Sequence, residues 1–194
     1  MPLSQSKPRQ HIHTRQIECR GFLREDGLWD IEGHLIDIKT YGFESEWRGM
    51  VEPGEPVHEM WVRVTVDDSL IIRDIEAATD HSPFPVCPAI TPNFRRLMGL
   101  NIRAGFFSKV RELLGGVEGC THLVELMGPI ATTAFQTIYP YRHRLTRDPD
   151  AKPPRKSAKR SEQPRIIGTC HALKSDGEVV RRLWPEFHTG AAKS

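Results

Sequence analysis

The chain has 194 residues, 38% of them hydrophobic, with 27 Lys plus Arg against 25 Asp plus Glu and a formal net charge of +2. That length suits one domain with an appendage, and so mild a charge, with a pI near 8.4, does not mark nucleic acid as the partner. No apolar run approaches the roughly 18 residues needed to span a bilayer, the polar Met1–Gln10 lacks the apolar core of a secretory signal, and four cysteines without such a signal point to a reducing, cytoplasmic setting.

Residues 1–10 read as a disordered start to an ordered domain over 11–148. His13–Phe22 alternates polar and apolar positions, turns at Glu25-Asp26-Gly27, and continues through Leu28–Lys39. Asp-Gly between two such runs signals a hairpin. Tyr41–Pro56, with Gly49, Pro53, Gly54 and Pro56, reads as a loop. His58–Val66 places Met60, Val62, Val64 and Val66 on one face, and Asp67-Asp68-Ser69 turns the chain into Leu70–Ala78, a second hairpin.

The period then changes. Pro92–Leu100 reads as a short helix with Phe94, Leu97 and Met98 on one side, and Ala104–Leu114 repeats Phe106/Phe107, Val110 and Leu113/Leu114 at helical spacing. A longer helix over Thr121–Ile138 carries a broad apolar stripe, and Pro129 inside it should kink it. Strands first and helices second predict an α+β domain, an antiparallel sheet of hairpins with helices packed on one face. Pro149–Pro164, rich in proline and basic residues, reads as a flexible linker. The segment 165–194, with structure expected over Ile166–Trp184, is expected to pack back on the domain.

Three places bring sulfur or imidazole to a bend: Asp80, His81 and Cys87 after the fourth strand; Cys120 and His122 at the start of the long helix; and Cys170-His171 after the linker. A cysteine just ahead of a helix meets the positive end of the macrodipole, which favours a thiolate. Cys120 is therefore a candidate nucleophile, with His122 or His81 as base and Asp80 as orienter. The same residue types suit zinc or an iron–sulfur cluster, with Asp80, Cys87, Cys120 and His122 as the ligand set, although no C-x-x-C pair is present. The turn ending at Gly119 offers backbone donors to an anion or oxyanion. Arg95 and Arg96 could meet the phosphate of a coenzyme A.

The segments REDGLWDIEGHLIDIK (Arg24–Lys39), HEMWVRVTVDDSLIIRDIEAATD (His58–Asp80), FRRLMGLNIRAGF (Phe94–Phe106), RELLGGVEGCTHLVELMGPIATTAFQ (Arg111–Gln136) and SDGEVVRRLWP (Ser175–Pro185) resemble the bacterial family of unknown function DUF 2889. The resemblance implies a setting, since members are often found among genes for breakdown of aromatic acids and other acyl-coenzyme A compounds. The order of elements also looks like that of iron–sulfur cluster scaffold proteins. Asp80-His81 replaces their Gly-Cys, and Cys87 is shifted downstream.

The leading expectation is hydrolysis of an aromatic acyl-coenzyme A thioester. The alternatives are a zinc or iron–sulfur binding scaffold or carrier, and a non-catalytic partner of a catabolic enzyme docking through the apolar helix. No nucleic-acid or membrane partner is expected, and a homo-oligomer is compatible with the sequence.

Overall fold

Period-two alternation in the first half of the chain produces a four-stranded antiparallel sheet. The computed structural model describes residues 3–145, 163–164 and 166–190 and divides into two units, Met1–Arg144 and Leu145–Ser194. In the first, β1 (His13–Leu23), β2 (Trp29–Lys39), β5 (Pro56–Val66) and β6 (Ile72–His81) lie side by side in that order. Trp29, Ile31 and Leu35 of β2 and Met60, Val62, Val64 and Val66 of β5 all point to one face and are buried. The register pairs Ile31 with Val64 and Leu35 with Met60, so this face is apolar across both central strands. Each such side chain contributes about 1.5–3 kcal/mol on burial.

The other face is polar. Arg63 donates to Glu32 at 2.8 Å and to Glu76 at 3.0 Å, and the Trp61 ring stacks on His34 with centroids 3.6 Å apart. The sheet thus has a dry side and a wet side, as expected for helices on one face only.

Helix α1 (Phe106–Leu114) and helix α2 (Thr121–Leu145) supply the covering layer. Leu123, Leu126, Met127, Ile130, Ala134 and Ile138 of α2 are buried in the common core. Two glycines let α2 approach the strands. A Cβ on Gly33 of β2 would lie 2.8 Å from Ile130 Cδ1, and one on Gly21 of β1 would lie 2.1 Å from Thr137 Oγ1. Both contacts are closer than real Cβ atoms tolerate: a larger residue at Gly33 would make the end of the Ile130 side chain turn aside, and one at Gly21 would meet Thr137 down to its Cβ at 2.8 Å and press on the helix itself.

The turn from β5 to β6 is closed by Asp67, whose carboxylate accepts the N–H groups of Ser69 and Ile71 at 2.8 and 3.0 Å. It holds Leu70 in the left-handed region at φ 62, where a non-glycine residue is uncommon.

Three sequence expectations need correction. The segment 41–56 is not wholly loop: β3 (Phe43–Ser45) and β4 (Gly49–Val51) form a small hairpin, with Val51 buried and Arg48 donating to the Pro56 carbonyl at 2.8 Å. The turn expected as a helix over Pro92–Leu100 is a 3-10 helix over Cys87–Leu97, where Pro88 and Pro92 each remove a backbone donor. Met98 falls outside it and is exposed, while Phe94 and Leu97 are buried. The long helix runs on to Leu145 as one element through both Pro129 and Pro140.

In the second unit, a 3-10 turn over His171–Leu173 leads through the turn at Ser175–Gly177 into α3 (Glu178–Leu183), followed by a 3-10 turn over Pro185–Phe187. Val180 is its buried residue. Nearly all of the expected linker, Pro149–Pro164, lies outside the described residues.

Candidate functional site

A charged residue stands where the alternation of β2 demands an apolar one. Asp37 is in phase with Trp29, Ile31 and Leu35 and is as buried as they are, at 1% exposure. Such a group needs partners, because an unpaired buried charge is costly. Strand register supplies them. Arg15 of β1 and His58 of β5 are the cross-strand neighbours of Asp37, so the three form one row across three strands.

The guanidinium of Arg15 donates to both carboxylate oxygens at 2.8 Å, Nε to Oδ1 and Nη2 to Oδ2. His13 Nε2 reaches Oδ1 at 3.1 Å, and His58 Nδ1 reaches Oδ2 at 3.1 Å. Since an ionised carboxylate only accepts, both imidazoles present N–H to it. Burial opposes ionisation of Asp37, but Arg15, His13 and His58 outweigh it and hold the carboxyl below its ordinary range. Arg15 is shared: its Nη1 also meets Glu125 of α2 at 2.5 Å.

Helix α2 brings the remaining groups down onto this row. The carbonyl of Cys120 accepts the Val124 N–H at 2.9 Å, which makes Cys120 the residue that caps the helix start. His122, in the first turn, places its ring against that of His58, with centroids 3.8 Å apart and planes tilted by 32°. Its Nε2 lies 3.9 Å from Asp37 Oδ2 and its Nδ1 lies 3.8 Å from Cys120 Sγ. The thiol also touches Met60 Sδ at 3.9 Å.

Burial, then the charge of Arg15, lowers the pKa of His122 against the pull of Asp37 and Glu125. Burial, then His122, lowers that of His58. The neutral imidazole is thereby favoured at both positions, which is the form a base or a metal ligand requires. Asp37, His58 and His122 each offer one donor atom, and those atoms lie within 4.8 Å of one another.

Of the residues proposed from sequence, the structure joins Cys120 to His122 and sends the others elsewhere. Asp80 accepts the Trp61 indole N–H at 2.9 Å, and His81 Nδ1 meets Glu59 Oε2 at 2.9 Å, both on the wet face of the sheet. Asp80 and His81 therefore serve no site with Cys120: a register shift pairs Glu59 with His81 and Met60 with Thr79, leaving Asp80 as an extra residue, and this bulge interrupts the alternation so that both side chains take the wet face. Cys87, half-buried, opens the 3-10 helix, and among the described residues Asp80, Cys87, Cys120 and His122 do not come together as a group that could hold a metal ion.

Arg95 and Arg96 lie on the exposed side of that helix, paired with Asp74 at 3.5 Å and Glu118 at 2.8 Å. Gly119 is extended, and a Cβ there would lie 2.2 Å from the Leu114 carbonyl oxygen, so close backbone approach explains the glycine. Cys170 is exposed in the second unit.

Asp37, His58, Arg15 and His13 were not among the sequence candidates. A signal for them exists: Asp37 and His58 are polar residues in phase with the buried positions of their strands, next to Leu35 and Met60.

The family model described as "Protein of unknown function (DUF2889)" matches residues 13–136, which contain every residue of this cluster. No curated protein and no solved structure matches, so the likeness to iron–sulfur scaffolds gains no support from that side.

Proposed function

Given that the chain belongs to the DUF2889 family, whose description carries no reaction, we propose that it hydrolyses an acyl thioester through Cys120, His122 and Asp37. One observation carries the reading: His122 lies between thiol and carboxylate, its two ring nitrogens 3.8 Å from Cys120 Sγ and 3.9 Å from Asp37 Oδ2. A base flanked by a nucleophile and an orienting carboxylate is the arrangement used for acyl transfer on unrelated folds. Both separations are longer than a hydrogen bond between lighter atoms, as is common before substrate tightens a site.

In this reading Asp37 takes the orienting role first assigned to Asp80. Its own geometry is fixed by Arg15, so it holds the Nε2–H tautomer of His122 and leaves Nδ1 to accept the thiol proton. The thiolate attacks the thioester carbonyl carbon, and the free N–H groups in the first turn of α2 face the developing oxyanion. The carbon–sulfur bond to the leaving thiol breaks, and that thiol takes the proton from His122. Water then releases the acid from Cys120, with His122 taking and returning its proton. A hollow beside this turn, lined by Phe107, Arg111, Thr121, Val124 and Glu125 among others, offers an aromatic wall for the acyl group. The aromatic acyl-coenzyme A substrate class comes from the family's association with aromatic-acid breakdown.

The test is incubation of the full chain with benzoyl- and phenylacetyl-coenzyme A, following free thiol release and the intact mass. Turnover that is lost in Cys120→Ala, with an acyl adduct on Cys120 in the parent chain, supports the reading. Turnover that survives Cys120→Ala sinks it, as does no release from any acyl thioester tried.

A further inference from the structure

Asp37, His58 and His122 have a second capability that acyl transfer does not use. We propose that these three residues bind a divalent cation of the zinc class, and that the bound cation silences His122 as a base. The second half rests on the hydrolytic reading above; the first stands without it.

The donor set is two imidazoles and one carboxylate, which leaves a fourth position open and matches the three-protein-ligand pattern of zinc sites. The donor atoms lie within 4.8 Å of one another. Ligands held at about 2.0–2.2 Å around a tetrahedral ion stand roughly 3.3–3.5 Å apart, a contraction that rotation of the two half-buried rings provides. The positions are fixed by different means: Asp37 and His58 by strand register, His122 by the first turn of α2.

Asp37 must keep a lone pair for the ion although Arg15 engages both of its oxygens. Oδ1 serves Arg15 and His13, and Oδ2 serves Arg15 and His58. The cation takes the place of the proton between His58 and Oδ2. His58 moves its ring proton to Nε2, and the freed Nδ1 and Oδ2 lone pairs both turn to the metal. Arg15 and His13 stay on the carboxylate and orient it, as outer partners of metal ligands do. Charge agrees: Asp37 and Glu125 carry two negative charges against the single positive charge of Arg15, so a dication enters a net negative site.

Filling the site changes His122. With Nε2 committed to the cation, the ring proton resides on Nδ1, next to Cys120 Sγ. That nitrogen then donates, and it can no longer accept the thiol proton.

The experiment titrates the metal-stripped full chain with zinc sulfate against a chromophoric chelator. One equivalent per chain is expected, with affinity lowered at least about tenfold in His58→Ala and in His122→Ala and unchanged in Cys120→Ser. Absence of stoichiometric binding, or binding unchanged in both histidine variants, overturns the site. Cobalt(II) loaded on the parent chain gives a readout that needs no variant. Ligand-field bands without thiolate charge transfer support the assignment, whereas a strong thiolate-to-cobalt band moves the ion to a cysteine and overturns it. If the chain turns over thioesters, saturating zinc should stop it and EDTA restore it. Turnover indifferent to zinc ends the silencing half, and a chain without turnover ends the hydrolytic reading and that half with it, while the titration still decides the cation site.

Discussion

Arg15 and Asp37 are directly opposite each other in the β1–β2 register and joined by two hydrogen bonds of 2.8 Å, with the Asp37 side chain 1% exposed and the Arg15 side chain a third exposed. Removing the cation leaves the buried anion with only imidazole donors. Breaking a buried pair costs about 3–5 kcal/mol, and the exposure of Arg15 places Arg15→Ala near the lower end. Urea unfolding of Arg15→Ala at neutral pH should show a loss of ~3 kcal/mol. A loss below about 1 kcal/mol, the value of an exposed pair, would mean that His13 and His58 suffice.

The turn carboxylate of Asp67 predicts a pH dependence. Burial opposes its ionisation, but the N–H groups of Ile71 and Ser69 and the Arg73 guanidinium outweigh it and hold its pKa below the ordinary value. A carboxyl with a lowered folded pKa binds fewer protons in the native than in the unfolded state. Its contribution is therefore full above the unfolded value of about 3.9 and disappears as pH falls through the folded value. Asp67→Asn should cost about 1–2 kcal/mol at pH 7. The gap from the parent should narrow steadily in urea titrations below about pH 4. A gap constant down to acid pH would show that the charge contributes nothing.

The cysteines should differ in reactivity by position. Cys170 is exposed, Cys120 is half-buried at a helix start, and Cys19 packs under α2. Burial raises the Cys19 thiol pKa, and the charge of Glu18 adds to it, against the hydrogen bond from Thr133. Timed iodoacetamide labelling with peptide mapping should modify Cys170 first and Cys19 last. Early labelling of Cys19 would contradict the packing of α2 on β1.

The sheet was legible because alternation in His58–Val66 and Leu28–Lys39 records burial residue by residue, and α2 was legible from its stripe. The hairpin of β3 and β4 was not, since three-residue strands give alternation no room to repeat. Cys120 and His122 were visible because they are near in sequence and mark a helix start. Asp37 and His58 were hidden by separation: they are 21 residues apart, and only the register of β2 with β5 makes them neighbours. Asp80 and His81 misled for the opposite reason. Proximity along the chain to a strand end says nothing of which face they take.

The bare floor under α2 has a mechanical consequence. Gly33 and Gly21 set the height at which Ile130 and Thr137 rest on the sheet. The same helix, about two turns before Ile130 and about four before Thr137, suspends His122 over Asp37 with 3.9 Å between nitrogen and oxygen. A rod seated on two low supports transmits any shim placed under it. One methyl group added at Gly21 would press on Thr137 down to its Cβ at 2.8 Å, which no rotamer relieves, so the load would pass to the backbone of α2 and shift the gap at His122 without touching a reactive group. The clearance of the site thus answers to a residue about four turns away that has no side chain.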